Sequence, residues 1–100
     1  MQSSPARVTG QVINSVTGEG IQGASVTATS NDGEVIAVTT TSEDGFFTIQ
    51  NLPPGSVVLT ANAVGFGANS KGIILESNIT STTYIVLKPI AWFSNRFRHW

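Results

Sequence analysis

Glu43-Asp44-Gly45-Phe46-Phe47-Thr48-Ile49-Gln50-Asn51-Leu52-Pro53-Pro54-Gly55-Ser56-Val57-Val58-Leu59-Thr60-Ala61-Asn62-Ala63-Val64-Gly65-Phe66 is the stretch whose reading decides the fold. Phe47 and Ile49 alternate with Phe46, Thr48 and Gln50, and Val57, Leu59 and Ala61 alternate with Val58, Thr60 and Asn62. Alternation of this kind marks strands with one buried face. Between the two strands lies Asn51-Leu52-Pro53-Pro54-Gly55. Neither proline can donate to a sheet ladder, so the segment is an inter-strand corner, and the fixed proline φ reduces the freedom lost there on folding. Gly65-Phe66 makes a second corner.

The same pattern extends in both directions. Arg7 to Asn14 alternates with Val8, Gly10 and Val12 on one side, and a turn-rich run from Ser15 to Gly23 follows. Ala24 to Ser30 places Ala24, Val26 and Ala28 on one face. Asn31-Asp32-Gly33 reads as a hairpin turn, because these residues tolerate positive φ. Glu34 to Thr41 returns, and Glu43-Asp44-Gly45 is the next tight turn, leading into Phe46 to Gln50. After Val57 to Ala63 come Lys71 to Glu76 and Thr82 to Lys88, and Pro89 closes the last strand. Seven strands with no helical spacer predict an all-β, seven-stranded antiparallel sandwich with Greek-key connections, immunoglobulin-like or transthyretin-like. The expected core is Val8, Val12, Ala24, Val26, Ala28, Phe47, Ile49, Leu52, Val57, Leu59, Ala61, Ile85 and Leu87.

Length and composition agree with one such domain. The 100 residues include no cysteine, so the core must come from apolar burial without disulfides. Charged residues make up 11%, well under the roughly 25% of ordinary soluble domains. Thr and Ser fill the polar positions instead, and Thr suits a pleated surface. The net charge of −1 is unevenly spread: Met1 to Leu87 carries −4, whereas Lys88 to Trp100 carries +3 from Lys88, Arg96 and Arg98. The body thus lacks the basic face that nucleic-acid binding requires. No apolar run is long enough to span a membrane as a helix. Met1 to Arg7 has no apolar segment of the secretory-signal kind, which leaves open an internal protein or a mature, trimmed form.

Five short motifs recur in the order and spacing of a known family: Gly10-Gln-Val12, Gly23-Ala24-x-Val26, Thr41-x-x-Asp44-Gly45-x-Phe47, Leu52-Pro53-Pro54-Gly55 and Gly65-Phe66. Together they resemble the carboxypeptidase regulatory-like domain, a transthyretin-like (prealbumin-like) sandwich, over residues 7–89. One departure is Val57, where the family often has an aromatic. The resemblance implies a non-catalytic module that accompanies enzymes, adhesins, transporters or surface proteins, in an extracytoplasmic (periplasmic, cell-surface or secreted) setting. A standalone copy is then an accessory subunit or an excised module. The implied organisation is an N-terminal extension over 1–6, the sandwich over 7–89 and a C-terminal tail over 90–100.

No residue pattern calls for catalysis, a cofactor or a metal. The lone histidine, His99, sits in the penultimate position without a nucleophile partner. Asp32-x-Glu34 and Glu43-Asp44 are turn formers, and neither has the alternating acid spacing of a calcium loop. Gly18-Glu19-Gly20-x-x-Gly23 spells a dinucleotide fingerprint but precedes a strand rather than a helix. The related transthyretin-like hydrolase of hydroxyisourate uses several histidines, an arginine and a terminal Tyr-Arg-Gly-Ser, a pattern this chain lacks. The isopeptide-bonded collagen-adhesin domains need a lysine in the first strand and an Asn or Asp in the last, and both are missing.

The tail is different. Trp92, Phe93, Phe97 and Trp100 are four of the chain's eight aromatics, interleaved with Arg96 and Arg98. Phe93, Phe97 and Trp100 stand at i, i+4 and i+7, one face of a helix. Trp, Phe and Arg are the residues of interaction hot spots and interfacial helices. Trp92, Phe93, Arg96, Phe97, Arg98 and Trp100 are therefore the expected docking residues for a protein partner, a larger complex or a membrane surface. The alternative is a carbohydrate- or other ligand-binding module, for which Phe46, Phe66 and Tyr84 are the only candidate platforms in the body. Phe46 is the best of them because it points away from the Phe47 face.

Overall fold

The computed structural model describes residues 5–90, and these form strands β1 (Ala6–Asn14), β2 (Ser25–Ser30), β3 (Val35–Thr40), β4 (Phe46–Leu52), β5 (Gly55–Asn62), β6 (Asn69–Leu75) and β7 (Thr80–Leu87). They make a three-stranded sheet in the order β4-β1-β7 and a four-stranded sheet in the order β3-β2-β5-β6. The chain crosses between the sheets after β1, β3, β4 and β6, while β2–β3 and β5–β6 are hairpins within one sheet. The sandwich is thus the expected all-β architecture. Its ladders are antiparallel with one exception, because β1 and β7 run parallel from Arg7↔Thr80 to Asn14↔Leu87. A parallel pair needs a long crossover, and here nearly the whole domain supplies it.

All thirteen expected core residues are buried between the sheets. Leu59, Ile85, Leu87, Val8, Val12 and Val26 are fully covered, and each such burial contributes about 1.5–3 kcal/mol. Three further apolar residues join them: Ala6, Ile21 and Leu75. Ala6 pairs with Leu52 and lies in β1, so the sandwich takes in a residue expected to belong to the extension. At the other end, the Ile90 N–H donates to the Gly65 carbonyl at 3.0 Å, and Pro89 bridges Phe66.

Strict alternation would turn Leu52 outward, since Phe47 and Ile49 already face in. The ladder to β1 slips between Ala6 and Val8, so that two residues of β4, Gln50 and Asn51, oppose one of β1, Arg7. Asn51 takes up the extra residue in the left-handed region, at φ 60°, which Asn tolerates better than most side chains. This bulge returns Leu52 to the core just before Pro53 and Pro54 carry the chain to the other sheet.

Candidate functional site

At one end of the sandwich the loop after β1 folds back onto the turn before β4. Val12 donates to Gly45 O and Ile21 to Val12 O, both at 2.9 Å. Backbone meets backbone here: a Cβ on Gly45 would stand 2.7 Å from Gly20 Cα, Ile21 N and Val12 O. Thr41 pins the same loop from the side. Its buried hydroxyl donates to Ile21 O at 2.6 Å and accepts from the Ala24 N–H at 2.8 Å. Of the three glycines in the Gly18-Glu19-Gly20-x-x-Gly23 spelling, Gly20 is the one packed in this contact, against Asp44 and Gly45.

The turn from Ser42 to Phe46 is closed by its backbone, Ser42 N–H to Phe46 O and Gly45 N–H to Ser42 O, each 2.9 Å. The Glu43 and Asp44 side chains face solvent on its rim. Beside them opens a cleft of about 470 Å³ lined by Gln11, Glu19, Glu43, Asp44 and Phe46 among others. The Gln11 amide donates to Asp44 O at 2.9 Å, which fixes its orientation. Among the described residues, no three His, Cys, Asp or Glu side chains converge as metal ligands would.

Phe46 lies on the outer face of the three-stranded sheet with 51% of its surface exposed, as its outward parity requires. Tyr84 is exposed to the same degree. Phe66, the third aromatic named from the sequence, instead packs partly against the core. Trp92, Phe93, Arg96, Phe97, Arg98, His99 and Trp100 lie outside the described residues. The structure therefore brings Phe46 together with Gln11 and the acidic turn. The proximity of Glu19 was not legible, because its loop has no periodicity to place it.

A family model described as the carboxypeptidase regulatory-like domain matches residues 7–88. No curated protein matches the sequence. Among solved structures the fold is similar to a minor pilin of Streptococcus agalactiae, with a TM-score of 0.73 and 16% identity over 88% of this chain and 46% of the pilin. It is similar also to the major pilin subunit of Bacillus cereus, with a TM-score of 0.71 and 16% identity over 86% of this chain and 30% of that one. Catechol 1,2-dioxygenase from Pseudomonas arvilla C-1 has a TM-score of 0.70 at 9% identity, over 89% of this chain and 53% of the enzyme. At these identities the likeness is one of fold. The chain spans less than two thirds of each of these proteins.

Proposed function

This chain belongs to the carboxypeptidase regulatory-like domain family, and from that premise we propose that it is a non-catalytic structural module of a larger extracytoplasmic assembly. The observation that carries the reading is how the sandwich employs its polar side chains. Thr9 bonds Phe47 O and Thr48, Thr60 bonds Ser70, and Asn69 and Lys71 bond β7 carbonyls. Each reinforces the sheets instead of being held toward a reacting group. Two fold neighbours are pilins, one of them a pilus major subunit, which supports a scaffold role.

Attachment falls to Trp92, Phe93, Arg96, Phe97, Arg98 and Trp100, whose aromatic and basic character suits a protein partner or, second, a membrane interface. Truncation after Ile90 tests this. The truncated protein should keep its strand spectrum and thermal midpoint while losing co-purification with membranes or with a defined complex. Loss of the fold on truncation, or undiminished association, removes the tail from this role.

A second reading is a ligand-binding module, favoured by the half-exposed ring of Phe46 beside a polar cleft. Binding that survives truncation after Ile90 but disappears in Phe46→Ala supports it. Retention in Phe46→Ala eliminates that site.

A further inference from the structure

Gln11 pairs with Phe46 on one side and with Tyr84 on the other. The three residues therefore form a single row across the outer face of the three-stranded sheet, aromatic, amide, aromatic. Two strand spacings put the Phe46 and Tyr84 backbones about 10 Å apart. Thr48, Thr9 and Thr82 form the adjacent row by the same register. Single exposed apolar side chains are ordinary on a protein surface and a shared patch is the informative feature; here two half-exposed rings share one row with an amide between them.

We propose that this face binds a linear glycan bearing free amino groups, of the glucosamine-oligomer kind. The inference rests on the second reading above and gives it a ligand class. The C–H face of a pyranose stacks on an aromatic ring, and alternate units of an extended chain can meet Phe46 and Tyr84. The Gln11 amide is braced by Asp44 O and keeps its own carbonyl to accept from a sugar hydroxyl between the rings. A peptide hot spot calls for a contiguous dry apolar centre, which a row interrupted by an amide and bordered by hydroxyls does not supply.

Charge selects among glycans. The cleft at the strand ends beside Gln11 and Phe46 has Glu19, Glu43 and Asp44 among its lining residues and no basic residue. Three carboxylates beside an aromatic face complement an ammonium group through charge pairing and cation–π attraction. They offer a neutral or acidic sugar no such advantage.

The test is a calorimetric and NMR titration of the full chain with a glucosamine hexamer, its N-acetylated counterpart and a neutral cello-hexamer. The glucosamine oligomer should bind best, and its affinity should fall with added salt. Phe46→Ala and Tyr84→Ala should each weaken it about tenfold, the scale of one aromatic contact. Glu43→Gln should weaken the glucosamine oligomer alone, and none of the three variants should move the thermal midpoint appreciably. Equal binding of the neutral oligomer, lost in Phe46→Ala, overturns the amino-glycan assignment and leaves a ligand-binding module standing. Binding of the glucosamine oligomer that ignores both aromatic variants reduces it to diffuse attraction between charges and overturns the platform. No binding of any oligomer removes this inference, whereas a non-glycan ligand lost in Phe46→Ala would keep the broader reading.

Discussion

Gly20 and Gly45 meet backbone to backbone, with room for a side chain on neither. Gly45 also holds φ at 86°, a conformation that L side chains rarely adopt. Gly45→Ala should therefore cost roughly 3 kcal/mol or more, from left-handed strain together with a forced separation of two loops. Gly18→Ala is the control: its φ is 78°, but it faces open space, so only the strain of about 1–2 kcal/mol applies. Urea unfolding of the two variants checks the difference. Equal losses would mean that the loops are not packed as described.

Thr41 gives a second expectation. Replacing it by Val keeps the shape but removes a donor to Ile21 O and an acceptor for the Ala24 N–H. Both backbone groups are then left without that partner near the core, at a loss of about 2–4 kcal/mol. Thr41→Ser keeps the hydroxyl and should lose much less. A Val variant as stable as the Ser variant sinks the account.

Asn69 and Lys71 close the corner where β6 meets β7. The Asn69 amide donates to Val86 O and the Lys71 ammonium to Tyr84 O, both at 2.9 Å. These carbonyls belong to an edge strand, and unpaired edges invite pairing with other chains. The Asn69→Ala, Lys71→Met double variant should lose about 1–3 kcal/mol and associate at concentrations where the parent stays dispersed. Light scattering against concentration checks it, and unchanged scattering argues against an edge-guarding role.

Asn51 makes the fourth. Asn51→Gly should leave stability within about 0.5 kcal/mol, because glycine adopts the left-handed region freely. Asn51→Val should cost roughly 1–2 kcal/mol, since a β-branched residue is disfavoured there. If Val is tolerated as well as Gly, the bulge can relax and does not hold Leu52 inward.

These residues also mark how far the sequence could be read. Strand parity identified the inner faces well, because one misplaced residue turns every following side chain to the other face. Ile21 escaped because it sits in a loop without period, and Thr41 because a buried hydroxyl resembles an exposed one until its partners are known. Leu52 beside a proline corner reads as a core residue, but strand parity alone does not show the bulge that puts it there. The outward aim of Phe46 was legible from its neighbour Phe47. Its alignment with Tyr84 was not, because β1 joins them through pairings that span 35 and 73 positions of sequence.

The parallel pairing of β1 with β7 has a mechanical consequence. The chain enters β1 at one end of that sheet and leaves β7 at the opposite end. Tension between the two ends therefore slides the strands lengthwise past each other. The hydrogen bonds from Arg7 and Thr80 to Asn14 and Leu87 must then carry the load together, whereas a hairpin pulled open at its ends loses its bonds one by one. A module threaded in this way resists stretching along its strands and yields more readily to a pull across them.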